Sequence, residues 1–320
     1  MRRDGIRLVC HDWGGPGLPV VLLHGLAGHA GEWDEIARRL RDRFRVVAVD
    51  QRGHGASERQ PRDVSRAAYV ADVVAVTRQL RLERPVLAGQ SLGGHTAMLT
   101  AAAHPGLVRG LALIEAGTDR LDADAPREID ALLGSWPAPF PSLAAAAEFF
   151  GGGPVGAAWA AGLEEREGAW HPRFDRDVMV AALTENTQRS FDREWQQITC
   201  PTLAVFAQSS ILSAPGIDTM LHGRTPTTAT SIPASGHDLH LEHPELVSSL
   251  LTAFLDELAR TDGPPRNRPA PPEQTGSPNR TDRLPPTQGR AGKPLPHDFP
   301  ARHRGPHTST SLNPSRTPPA

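Results

Sequence analysis

Apolar residues along the first 260 positions fall into two alternating styles. Short strand candidates occur at 19–23, 45–49, 85–88, 108–114, 201–206 and 228–232, the first five carrying runs of Val, Leu, Ala, Ile or Phe. Each is too short for a helix and is bounded by Gly, Pro or Asp, as buried strands are. Between them lie segments with apolar positions at helical spacing. Trp33, Ile36, Ala37 and Leu40 mark one over 32–41, and others follow at 66–80, 92–103 and 244–258. Residues 5–13 read as an edge strand or hairpin, stopped by Gly14, Gly15 and Pro16. Strands buried on both faces and alternating with helices predict an α/β fold. Its sheet is mostly parallel, with helices on both sides.

The alternation stops between 118 and 198. That segment is rich in Ala and Gly and carries Trp136, Phe140, Phe149, Phe150, Trp159, Trp170, Phe174 and Trp195. It is too long and too apolar for a loop, so a helical lid over the sheet is expected there. The core then comprises 1–117 and 199–260. Residues 261–320 hold 15 of the 31 prolines and lack apolar runs. Such a composition buries too little apolar surface to offset ordering entropy, so a disordered Pro/Arg-rich tail is expected.

The formal net charge of −2 conceals a split. From 261 onward nine Arg or Lys stand against four Asp or Glu, a surplus of +5, which leaves −7 for the body. An acidic body argues against a nucleic-acid surface, which needs concentrated positive charge. Cys10 and Cys200 provide no disulfide framework or metal motif and suit a reducing compartment. No stretch approaches the roughly 18 apolar residues of a membrane span. A cytoplasmic location, a small-molecule substrate and no membrane or nucleic-acid partner are expected. The oligomeric state is not legible.

Candidate chemistry sits where predicted strands end. Gly89-Gln90-Ser91-Leu92-Gly93 follows the run Val86-Leu87-Ala88 and opens a helix. A serine on such a strand-to-helix turn is held clear of the sheet, and only small neighbours tolerate the crowded backbone. The helix N-terminus directs free N–H groups at negative charge forming there. His24-Gly25-Leu26 ends an earlier strand, where the Leu26 N–H can serve a developing oxyanion together with the Leu92 N–H. His24 reads as a loop-tying histidine more readily than as a proton carrier. Ser235-Gly236-His237 lies just past a late strand, and its position makes His237 the foremost general base among 14 histidines. His240 and His243 read as surface groups at a helix start, and His54 as structural.

These motifs resemble those of the α/β-hydrolase family. H-G-x, D-x-R-G-H-G-x-S (Asp50 to Ser57), G-x-S-x-G-G and a late G-H all stand here in that family's order. The resemblance implies Ser91 as nucleophile, His237 as base and an oxyanion hole at Leu26 and Leu92. It also implies a cap at 118–198. His24, Gly25, Trp136 and Trp159 are assigned to the substrate pocket. The acid departs from the family pattern, because Ser210 occupies about the place of the usual Asp. Some relatives carry the carboxylate one strand earlier, where Glu115 follows Leu111-Ala112-Leu113-Ile114. Glu115 is therefore the expected acid, with Asp218, or no acid at all, as alternatives. No cofactor motif and no metal-ligand cluster is visible. The expected activity is hydrolysis of an ester, thioester or lactone through an acyl-enzyme, on an apolar or aromatic substrate suggested by the cap. Hydrolysis of C–C bonds in ring-cleavage products and non-catalytic ligand binding are the rival readings.

Overall fold

The computed structural model describes residues 1–222 and 227–261. A two-stranded ribbon of β1 (Arg2–Arg3) and β2 (Ile6–Arg7) precedes a seven-stranded sheet. The sheet contains β3 (Val9–Gly14), β4 (Pro19–Leu23), β5 (Arg45–Asp50), β6 (Val86–Gln90), β7 (Gly110–Ile114), β10 (Thr202–Ala207) and β11 (Thr227–Ile232). Their spatial order is β11-β10-β7-β6-β4-β5-β3. All neighbours run parallel except the edge strand β3, which is antiparallel to β5. Every residue of β6, β7 and β10 is buried, as the unbroken apolar runs require.

Because side chains alternate across a strand, the same strands feed two cores. Val20, Leu22, Val46, Ala48 and Val86 meet α1 (Asp34–Leu40) and α11 (Pro244–Thr261) through Ile36, Leu40, Leu251 and Leu255. Val21, Leu23, Val47, Leu87 and Leu111 meet α2 (Arg66–Gln79) and α3 (Leu92–Ala103) through Val73, Val76, Ala97 and Met98. The α/β architecture expected from periodicity is the one observed. One turn of 3-10 helix, Ala30–Trp33, precedes α1.

Between β7 and β10 run α4 (Ala125–Gly134), α5 (Leu143–Phe149), α6 (Gly153–Ala161), α7 (Arg176–Gln188) and α8 (Asp192–Gln197). This segment is not purely helical. Leu163–Arg166 (β8) and Ala169–Pro172 (β9) form an antiparallel hairpin. Nor does its whole length stand apart from the core, since Phe191, Trp195 and Ile198 belong to the cluster that holds α3 against the sheet. After β10 the chain forms α9 (Ala214–His222), and α10 (Leu239–Glu242) precedes α11. The expectation of a disordered tail falls on residues beyond Thr261, outside the described ones.

Candidate active site

Ser91 sits at the carboxyl end of β6, as the N-cap of α3, with φ 49° and ψ −117°. A serine in that region carries backbone strain of about 1–3 kcal/mol, which persists only where the surroundings enforce it. Here they do. The Ser91 N–H donates to the Ile114 carbonyl at 3.0 Å, and Ser91 accepts from the His95 N–H at 2.9 Å. A Cβ on Gly89 would collide with the backbone of Gly93 and Gly94, and one on Gly93 with the carbonyls of Leu23 and His24. The G-x-S-x-G-G spacing thus reflects how closely α3 must approach the ends of β6 and β4.

His237 lies on the loop after β11. That loop is tied to the one after β10: Ser209 N donates to Ser235 O at 3.0 Å, Gln208 N to Ser235 Oγ at 3.3 Å and Ala234 N to Gln208 Oε1 at 2.6 Å. Gln90, beside the serine, donates through Nε2 to the His237 carbonyl at 3.0 Å. His237 keeps 31 % of its side chain exposed, and its Nδ1 stands 3.5 Å from Glu115 Oε2, a carboxylate with 0 % exposure. That separation is at the outer limit of an N–H···O bond, and Nδ1 makes no hydrogen bond of good geometry. The pairing is electrostatic in the main.

Glu115 follows β7 with φ 48°, a left-handed conformation that non-glycine residues seldom adopt. Its Oε1 accepts from the Ala207 N–H at 2.7 Å and from Ser210 Oγ at 2.9 Å. Its Oε2 lies 3.1 Å from Ser210 Oγ and 3.4 Å from the Ile211 N–H. Burial alone pushes this carboxyl upward. The neighbouring His237 imidazole and the bonds from Ala207 and Ser210 outweigh burial and hold it below the usual range. Ser210 therefore occupies the expected Asp position as a donor to the carboxylate one strand away. Asp218, the alternative acid, is 73 % exposed on α9 and pairs with His222 at 3.1 Å.

Among the described residues, the N–H groups of Leu26 and Leu92 donate to no acceptor. Leu92 stands at the first turn of α3, and Leu26 packs against the Tyr69–Leu92–Leu183 cluster. Gly25 is buried against Gln90 and within 3.5 Å of the Ser91 Cβ from its own Cβ position, so a side chain there would crowd the nucleophile. His24 does not reach a pocket wall. It is 0 % exposed, Nε2 accepts from the Gln51 N–H at 3.0 Å, and Nδ1–H donates to the Gly25 carbonyl at 2.8 Å. Burial drives its pKa down to about 3, so the ring is neutral and both nitrogens are committed to backbone.

The Asp50–Ser57 motif is a brace. Asp50 receives the N–H groups of Ala30 and Ala56 at 2.7 and 2.9 Å, and Arg52 grips Asp72 of α2 with two 2.7 Å bonds. His54 is buried, held by the Arg52 carbonyl at 2.8 Å. His240, read from sequence as a surface group, is instead 1 % exposed, 3.4 Å from Glu32 and 4.9 Å from the Trp33 ring. Sequence reasoning missed Glu32, whose burial raises its pKa to about 7. Its signal was the spacing to His29, a capping box at the 3-10 turn.

Trp136 and Trp159 are half-buried and line, with Phe174, a void of about 10 Å³. Trp136 stacks edge-on against Phe150, Trp159 and Phe174 at 4.7, 6.0 and 5.4 Å. Much of this aromatic surface is spent on a small core within residues 136–174. Trp159 also donates from Nε1 to Asp238, next to His237, at 2.9 Å. That bond links α6 to the histidine loop.

Comparison with known proteins bears on the fold and the family. The model of the Alpha/beta hydrolase family matches residues 20–250. A 2-(acetamidomethylene)succinate hydrolase of Mesorhizobium japonicum is 24 % identical over 250 residues, covering 76 % of this chain and 89 % of that protein. A non-heme chloroperoxidase of Streptomyces lividans is 29 % identical over 276 residues, covering 79 % and 97 %. The crystal structure of E-2-(acetamidomethylene)succinate hydrolase superposes with a TM-score of 0.72 at 25 % identity, over 79 % of this chain and 96 % of the other. A family match across most of the chain, on a sheet of this order with a strained serine after β6, places the protein among the alpha/beta hydrolases.

Proposed function

We propose that this chain is a serine hydrolase that cleaves a carboxylic ester, thioester or lactone through an acyl-enzyme on Ser91. In this reading Ser91 Oγ attacks the carbonyl carbon while His237 Nε2 takes its proton. The negative charge that develops on the carbonyl oxygen is met by the N–H groups of Leu26 and Leu92. His237 then passes the proton to the leaving alkoxide or thiolate as the tetrahedral adduct collapses. Water, deprotonated by the same imidazole, later hydrolyses the acyl-enzyme. Glu115 keeps Nδ1–H turned inward and stabilises the imidazolium.

The observation that carries the proposal is the strained Ser91 on the turn between β6 and α3, with two N–H groups that have no acceptor. The buried, hydrogen-bonded Glu115 beside His237 supports a working triad over decay to a binding module. The cap aromatics bury much of their surface against one another, so they speak weakly for an aromatic substrate. One relative's name specifies a small dicarboxylate bearing an acetamido group, which favours a small, polar acyl compound as the second reading. The two are separated by assaying p-nitrophenyl butyrate beside short anionic acyl substrates.

Purified protein is expected to hydrolyse p-nitrophenyl butyrate, with Ser91→Ala lowering kcat by about 10³-fold or more. Equal rates in the two proteins would refute the serine route. Among the described residues no helix is long and apolar enough to cross a membrane, and a cytoplasmic location remains part of the proposal.

A further inference from the structure

β6 ends on Gln90, a polar side chain only 2 % exposed in a strand whose other residues are apolar or glycine. A buried amide costs free energy unless it is hydrogen-bonded, so its partner matters. Side chains alternate along a strand, which puts position 90 on the face of Val86 and Ala88. That face packs against Leu239 and Val247, just beyond the His237 loop. Gln90 accordingly meets the loop, and its Nε2 donates to the His237 carbonyl at 3.0 Å.

The flanking residues of the loop are held by other groups. Ser235 Oγ donates to the Ile232 carbonyl at 2.7 Å, the Gly236 N–H to Glu242 Oε2 at 2.7 Å and Trp159 Nε1 to Asp238 at 2.9 Å. Gln90 fixes the peptide of His237 itself, and does so from the residue that precedes Ser91. The same amide lies against the oxyanion turn, since a Cβ on Gly25 would collide with Gln90 Oε1. On the ring side, Glu115 acts on His237 Nδ1 across 3.5 Å without a hydrogen bond of good geometry. That pull orients the ring but leaves its position over Ser91 to the backbone that carries it.

We propose that Gln90 is a positioning residue, which through the His237 carbonyl keeps the imidazole in register with the Ser91 hydroxyl. The inference rests on the serine-hydrolase reading above. Proton transfer needs base and hydroxyl within hydrogen-bond reach, and a misplacement of about 1 Å costs on the order of 10²-fold in rate. Because His237 serves both formation and hydrolysis of the acyl-enzyme, its displacement slows both steps and leaves KM nearly unchanged.

The test is a double-mutant cycle on the full chain, read by p-nitrophenyl butyrate kinetics in the wild type, Gln90→Met, His237→Ala and the doubly substituted protein. Gln90→Met keeps the volume and removes the donor, and is expected to lower kcat about 10–100-fold with KM within about twofold. In the His237→Ala background the same substitution should change turnover by less than about twofold, because a group that acts through the imidazole has nothing left to position. A merely structural role would lower turnover in both backgrounds. Wild-type kcat in Gln90→Met, or a further loss of about tenfold on adding it to His237→Ala, overturns the proposal. If Gln90→Met does not fold, Gln90→Glu decides at pH 8: its ionised carboxylate has the same shape but cannot donate, and an undiminished kcat overturns the proposal equally. Full turnover in His237→Ala would sink the serine-hydrolase reading and this inference together, whereas an inactive His237→Ala beside a fully active Gln90→Met would sink this inference alone.

Discussion

Ser210 occupies the position where the family pattern places an acid, and it works through another residue. Its hydroxyl reaches both oxygens of Glu115, so the carboxylate that faces His237 is oriented by a group a strand away. Glu115→Gln keeps the shape and removes the charge, and kcat is expected to fall about 10²–10⁴-fold while the far-ultraviolet circular dichroism stays unchanged. Ser210→Ala removes one of the bonds that hold the Glu115 pKa down. A depressed carboxylate stays ionised above its folded pKa and loses the charge as pH falls through it. Ser210→Ala should therefore move the acid limb of kcat/KM to higher pH, and an unmoved limb would separate Ser210 from the proposed Glu115–His237 pair. Ser91, His237 and Glu115 stood out in the sequence because Ser91 and Glu115 directly follow β6 and β7 and His237 lies on the loop after β11. The burial of His24 and His240 was not, because both depend on neighbours distant in sequence.

At the scale of elements, α3 carries the serine only because it starts flush against β4 and β6. The contacts that forbid a side chain at Gly93 are the carbonyls of Leu23 and His24, backbone that cannot swing aside. Gly93→Ala is expected to destabilise the protein by about 1–3 kcal/mol, seen as a lower midpoint in urea, and to lower turnover as well. A midpoint within error of the parent would mean that α3 can retreat from β4. Most core strands were legible because β4, β5, β6, β7 and β10 are buried and carry apolar runs, whereas β11, Thr227–Ile232, is mostly unburied. The β8–β9 hairpin was not legible, since Leu163–Arg166 and Ala169–Pro172 lack both alternation and an apolar run. Nor did periodicity reveal that Phe191 and Trp195 would leave the insertion and join the core beneath α3.

For the molecule as a whole, burial of histidines sets the response to acid. Burial lowers the pKa of His24 and His54 to about 3 and of His240 to about 4, and it also lowers that of His95. Each folded pKa lies below the unfolded value near 6.5, so below that pH the unfolded chain binds protons that the native state refuses. Their contribution is complete above about pH 6.5 and is lost as pH falls toward 4, at up to about 1.4 kcal/mol per histidine per pH unit. Glu32 acts oppositely, since its raised pKa of about 7 favours the fold below pH 4.5 and loses that contribution as pH rises through 7. Four histidines against one carboxyl predict a net fall in Tm between pH 7 and pH 5, measurable by calorimetry. A flat or rising Tm would mean that these rings are hydrated in solution.

By itself the sequence determined the alternation of strands and helices, the turn that presents Ser91 and the placement of Ser91 and Glu115 at strand ends and His237 on a late loop. Those features are local, written in the period of apolar residues and in glycines where no Cβ fits. Tertiary structure alone decided that Glu115 faces His237, that Ser210 serves it, and that Asp218 lies in solvent. It also decided that Arg66 is buried without an acceptor and that the aromatics between 136 and 174 stack on one another. Each of these depends on how segments pack in space, and such packing leaves no periodic mark on the chain.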